Sequence, residues 1–226
     1  MYSFLTGPML VISILLFVIG LAYKVVTYVR GLDWRLERVA YRYGGKKAVI
    51  GAVSSALKWL IPFGTHSWRK QPFLTFAFFF FHLGVVICPL FLAGHMLIMK
   101  SLLGFSLPAM PMWLSDTCTV LGILGGIMMV LRRVGLPEVR FITNRTDWTV
   151  LLLTLFVLVA GFFARMQVPG YECWLLLHIF AAELILIMAP FTKLSHIVLY
   201  FMSRGQLGMD FAIKRGGARR GPVFPW

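Results

Sequence analysis

Five stretches of the chain are each long and apolar enough to cross a lipid bilayer, and this feature limits the fold more than any other. They run over Pro8–Val29, Phe73–Met99, Leu114–Leu131, Trp148–Arg165 and Tyr171–Met202. A helix needs about 20 largely apolar residues to span the hydrocarbon core. The backbone there has no water to bond to, so helices that satisfy their own N–H and C=O groups are the expected form. The second and fifth stretches exceed that length, so they are expected to tilt or to project beyond the bilayer. The expectation is an all-α integral membrane protein. Residues 1–202 form a single five-transmembrane-helix bundle, and residues 203–226 form a basic cytoplasmic tail. Composition agrees: 59% of the 226 residues are hydrophobic, only 13% are charged, and the mean hydropathy is +0.83. A water-soluble domain exposes more charge than this. The first stretch has no basic residues ahead of it and reads as a true span rather than a cleaved leader.

The formal net charge of +14 would suggest a nucleic-acid partner in a soluble protein. Its distribution gives a different reading. Of the 22 Lys and Arg residues, twenty fall on one side of the five-span topology, and only Lys100 and Arg165 fall on the other. The cytoplasmic side of a membrane protein collects such residues. The N-terminus is therefore expected outside and the C-terminus inside a bacterial inner membrane. Anionic lipid or an acidic partner surface is a secondary use of the charge, and no nucleic acid is expected.

Between the first two spans, Lys46–Phe63 reads as an amphipathic helix carrying Val49, Ile50, Val53, Leu57 and Leu60. It is expected to lie on the cytoplasmic face. The tail beyond Gly205 carries Phe211, Val223, Phe224 and Trp226, which are apolar anchors suited to a docking arm. Cys88, Cys118 and Cys173 have no metal-like or redox-like spacing and read as buried, inert thiols.

Four of the five histidines, His82, His95, His178 and His196, fall within the apolar stretches. Ionisable groups in a membrane are rare and usually functional. A neutral imidazole is a good ligand for haem iron, and two imidazoles fill both axial positions. His178 and His196 are 18 residues apart, which in one continuous helix is five turns and about 27 Å along one face. His82 and His95 are 13 residues apart, about 20 Å of rise, and do not share a face in a straight helix. Pro89 lies between them and provides a kink to re-aim one ring. The second and fifth spans run antiparallel, so depth gives the pairing. His95 and His178 serve an outer b-type haem, and His82 and His196 an inner one. Arg69, Lys70 and Lys193 are inner candidates for haem propionates, with Lys100 and Arg165 on the outer side. His66, beside Trp68-Arg69-Lys70, reads as a surface residue. Glu183 is the one acidic residue well inside a span.

These residues resemble a known family. Leu177-His178 and Pro190-Phe191-Thr192-Lys193-Leu194-Ser195-His196 are similar to the last helix of the respiratory nitrate reductase gamma subunits, which are five-helix cytochromes b. Phe81-His82-Leu83-Gly84 and Gly94-His95 resemble that family's second-helix ligand motifs. Gly125-Gly126, Arg132-Arg133, Pro137, Val139-Arg140 and Asp147 resemble its middle section. The likeness covers roughly residues 73–200. Size and the basic loop resemble more narrowly the cytochrome b subunit of the high-molecular-weight cytochrome c complex of sulfate reducers.

The resemblance implies an electron-transfer subunit of an oxidoreductase complex rather than an enzyme by itself. Such a subunit holds two haems b and passes electrons between a periplasmic multihaem cytochrome or quinone and a cytoplasmic iron–sulfur subunit, beside other membrane subunits. Two departures favour relay over quinol oxidation. The spacing of the second-helix histidines is longer here. The quinol-site lysine of the family also has no clear counterpart in Ser106–Asp116, where Lys100 is the nearest substitute. A menaquinone pocket beside one haem is the alternative. A transporter would need more intramembrane acids than Glu183. A cofactor-free anchor leaves four membrane histidines unexplained.

Overall fold

The computed structural model describes residues 1–32 and 38–214. Among them the chain is helical, with no strand, and five helices are long and apolar enough to cross a membrane. In chain order the elements are α1 (Tyr2–Arg30), α2 (Arg38–Leu60), α3 (His66–Lys70), α4 (Pro72–Phe91) and α5 (Ala93–Leu103). They continue as α6 (Met112–Gly135), α7 (Pro137–Ile142), α8 (Arg145–Arg165), α9 (Tyr171–Phe191) and α10 (His196–Lys214). The five apolar spans are α1, α4, α6, α8 and α9. Val223, Phe224 and Trp226, the expected docking anchors, lie outside the described residues, and so does the side chain of Phe211.

Two expected long helices are instead interrupted, and proline chemistry accounts for both breaks. Pro89 has no N–H, and its ring crowds the carbonyl four residues earlier. Around that position α4 widens into a π turn over Leu83–Ile87. The helix ends at Phe91, and Leu92 is extended at φ −69° and ψ 130°. His95 therefore sits on a separate short helix, α5, and not on the second span continued to Met99. In the fifth span, Pro190 lies in a tight 3₁₀ turn over Ala189–Phe191, and Thr192 is extended. His196 then opens α10. The 18-residue count between His178 and His196 crosses this break, so the single-face argument that assumed one continuous helix does not hold.

The chain forms two compact units. One comprises residues 1–14 and 73–187, and the other the described residues within 15–72 and 188–214.

In the first unit, α4, α6 and α8 meet through small residues. A Cβ on Gly84 would come within 2.8 Å of the Gly122 Cα, and one on Gly125 within 2.4 Å of the Phe81 nitrogen. Glycine is required at these points because the helix backbones approach too closely for any side chain. Asn144 starts α8 with a reciprocal cap: its side chain accepts from the Asp147 N–H, and Asp147 accepts from the Asn144 N–H. This pairing satisfies donors that a helix start leaves open. The loop after α5 turns at Gly104 (φ 80°) and returns to α4, where the Met110 N–H donates to the Phe91 carbonyl at 2.9 Å.

In the second unit, α2 and α10 pack as an antiparallel pair. The Tyr200 hydroxyl donates to the Ala56 carbonyl at 3.0 Å, and Gly208 lies against Gly51. The face of α2 used here carries Ala48, Gly51 and Ser55, all buried. Val49, Ile50, Val53, Leu57 and Leu60 occupy the other side and are exposed. The helix is amphipathic, but its small-residue side makes the intramolecular contact and its large apolar side faces out. Gly20 of α1 abuts Pro190, where an added Cβ would sit 2.6 Å from the proline ring. Tyr28 donates to Gln206, and the Arg204 guanidinium covers the Trp59 ring at 4.1 Å.

Candidate haem-ligand site

His95 and His178 both lie in the first unit, where their rings come together. The imidazole planes are 5° from parallel and their centroids are 6.0 Å apart. Each ring is fixed by its Nδ1. His178 donates Nδ1–H to the Val157 carbonyl on α8 at 2.9 Å. His95 donates Nδ1–H to the Pro89 carbonyl at 3.2 Å. The break at Leu92 supplies that second acceptor, because a helix leaves its last carbonyls without helical partners. With each Nδ1 bonded to a backbone oxygen, the lone pair of each ring is on Nε2, the tautomer that ligates metal.

The ring spacing limits what can lie between them. Ring centres 6.0 Å apart leave room for one metal ion that His95 and His178 would hold through their Nε2 lone pairs, at metal–imidazole bonds of about 2 Å. Among the described residues, no three His, Cys, Asp or Glu side chains gather to hold a metal. Two imidazoles alone suit a metal that carries its own equatorial ligands, which is the case for iron in haem. The donor set and the spacing therefore fit a bis-histidine haem.

His178 can reach the Val157 carbonyl because residue 161 is glycine. A Cβ there would lie 2.7 Å from His178 Nδ1 and 2.8 Å from its Cε1. Residue 161 is four positions after Val157, so its N–H is the helical donor to that same carbonyl. The imidazole takes the second lone pair across the bare glycine. Sequence reading did not single out Gly161. The only signal was a glycine inside a span, where it weakens the helix by roughly 1 kcal/mol relative to alanine.

The other histidines lie elsewhere. His82, in the first unit, donates Nδ1–H to the Phe78 carbonyl at 2.8 Å, and its ring lies 4.0 Å from the Phe78 ring centre. His196, in the second unit, donates Nδ1–H to the Lys193 carbonyl at 2.9 Å. Both rings thus present Nε2, as the first pair does. His66 opens α3 on the surface behind a Thr65 cap, whose hydroxyl accepts from the Trp68 N–H. Arg69 is exposed, and its Nε donates to the Thr65 carbonyl. Lys193 and Lys100 are also exposed. Arg165 pairs with Asp116 at 3.3 Å, a contact between α8 and α6 that sequence reading did not foresee. Cys88 and Cys118 are buried, but Cys173 is exposed, contrary to the expectation of three buried thiols. Its place at the start of α9, just after the Gly170 turn, brings it to the surface.

Over its whole length the chain is 62% identical to a protein of Nitratidesulfovibrio vulgaris (strain Hildenborough), across 226 residues and the full length of both chains. The chain belongs to the family of that protein. No family model and no solved structure matches the chain.

Proposed function

We propose that this chain is the di-haem cytochrome b subunit of a multisubunit respiratory redox complex in a bacterial inner membrane. The observation that carries this reading is the parallel imidazole pair of His95 and His178, 6.0 Å apart, with both Nδ1 atoms engaged by backbone carbonyls. In this reading His95 and His178 hold the outer haem, and His82 and His196 hold the inner one. The second pair rests on the places of His82 and His196 towards the cytoplasmic ends of the second and fifth apolar stretches of the sequence and on their matching Nδ1 bonds. Bound haem supplies a one-electron couple at each site. The chain's residues hold the imidazoles neutral and fixed in orientation, and they exclude water with apolar side chains. Arg69 and Lys193 on the inner side are the propionate partners.

The five spans form one bundle, with the N-terminus periplasmic and the basic loops and tail cytoplasmic, as the twenty-to-two distribution of Lys and Arg favours. Electrons then pass across the membrane between a periplasmic multihaem cytochrome c or quinone and a cytoplasmic iron–sulfur subunit. The nitrate reductase gamma-like motifs support this role and the narrower likeness to the cytochrome b of the high-molecular-weight cytochrome c complex.

The test is the dithionite-reduced absorption spectrum and the pyridine haemochrome of the purified chain. The expected result is a b-type spectrum with about two haems per chain. His95→Ala and His178→Ala should remove the same haem, and His82→Ala and His196→Ala the other. A folded chain with no haem, or His95 and His178 variants that lose different haems, would overturn the proposal. A haem band shifted by a menaquinone analogue would add a quinone site beside that haem.

A further inference from the structure

Glu183 lies inside α9, and its side chain is 1% exposed. Among the described residues neither carboxyl oxygen has a hydrogen-bond or ion-pair partner. Serine and threonine residues in the spans close bonds to carbonyls three or four residues back, as Thr154 does to Val150. Glu183 has no comparable bond. An unpaired carboxylate in such surroundings is strongly disfavoured. A glutamine or leucine would fill the same volume without a charge. The buried carboxyl therefore calls for an explanation outside the packing of the protein itself.

Its position suggests one. Glu183 is five residues beyond His178 on the same helix, about 7.5 Å along the axis and about 140° round it, so the two side chains leave α9 on different faces. Two neutral imidazoles leave a ferric haem core cationic and a ferrous one neutral. A carboxylate buried in the same unit acts on that charge through a low-dielectric interior rather than by contact, balancing the first state and being unbalanced in the second.

We propose that Glu183 is a redox-linked proton acceptor for the site formed by His95 and His178. In the oxidised state Glu183 is the carboxylate counter-charge. When one electron enters from an external donor, one proton from the aqueous phase adds to Glu183 and forms the carboxylic acid. The local charge is then unchanged. Reoxidation returns the proton. The other charged or titratable groups on α9 are Tyr171, Glu172, Cys173 and His178. Those on α8, on which His178 rests, are Arg145 and Asp147 at one end and Arg165 at the other. On α5 they are His95 and Lys100. None of them is paired with Glu183. This inference rests on the haem reading above.

The experiment combines a potentiometric titration of the haem-loaded chain across pH with reduced-minus-oxidised infrared difference spectroscopy. Wild type, Glu183→Gln and Glu183→Asp are compared. In wild type one haem potential should fall as pH rises, and a carboxylic acid carbonyl band should appear on reduction. That band should shift when the chain is labelled with ¹³C-glutamate. Glu183→Gln should keep both haems and lose both the band and the pH dependence. Glu183→Asp should keep a displaced band. If Glu183→Gln fails to bind haem, the labelled wild-type band and the Asp variant decide the question. Two intact haems with pH-independent potentials, or a band indifferent to residue 183, would overturn this inference alone. A chain with no haem spectrum would remove the proposed function and this inference together.

Discussion

Gly161→Ala isolates the support of the proposed outer haem site from its proposed ligands. An alanine Cβ would lie 2.7 Å from His178 Nδ1 and 2.8 Å from Cε1, well inside the usual contact distance of about 3.5 Å. The ring must move by roughly 0.7 Å or tilt, and either change stretches its 2.9 Å bond to the Val157 carbonyl. Losing that bond removes about 1 kcal/mol. Alanine in place of glycine within a helix returns about the same amount. Net folding stability should therefore change by less than about 1 kcal/mol. Haem binding has no such compensation. Loss of the group that orients a ligating imidazole typically lowers metal affinity about 10- to 100-fold.

The assay is haem content at limiting haem, with a thermal melt of the same preparations. The haem count should fall from about two towards about one, while helix content and melting stay near wild type. Gly94→Ala is the control, because a Cβ at Gly94 meets nothing within 4 Å although it adjoins His95. A Gly161→Ala chain that keeps both haems with an unchanged outer-haem spectrum would show that the Val157 bond does not hold the ligand.

Two further predictions concern the rest of the chain. Gly208→Val would place a Cβ 2.3 Å from the Gly51 carbonyl oxygen; separating α2 from α10 should cost about 1–3 kcal/mol. Limited proteolysis should then cut the second unit faster while the absorption of the proposed outer haem persists, and unchanged proteolysis would refute the packing. Cys173 is exposed while Cys88 and Cys118 are buried, so a membrane-impermeant maleimide added to intact spheroplasts should label the chain once, at Cys173. Labelling only after the cytoplasmic side is opened would reverse the proposed orientation.

The apolar spans and the charge asymmetry could be read from the sequence because each depends on single residues and the surrounding solvent. A run of leucines and phenylalanines partitions the same way whatever its neighbours do, and Lys and Arg stay out of the bilayer core. The four histidines stood out for the same reason, as polar groups in apolar stretches. How their rings are aimed could not be read in this way. Counting residues at helical spacing assumed unbroken helices through Pro89 and Pro190. The structure breaks the chain at Leu92 and Thr192 instead. The first break frees the Pro89 carbonyl for His95, and a glycine on α8 exposes the Val157 carbonyl to His178. Both imidazole orientations thus depend on backbone oxygens, which every residue has and no side-chain pattern distinguishes. Glu183 was visible as the one acidic residue deep in a span, but only the folded chain showed both its oxygens buried without a partner among the described residues. Partition into the membrane is set residue by residue. The distance between two rings is set by where the backbone breaks and by which neighbouring helix is bare enough to approach.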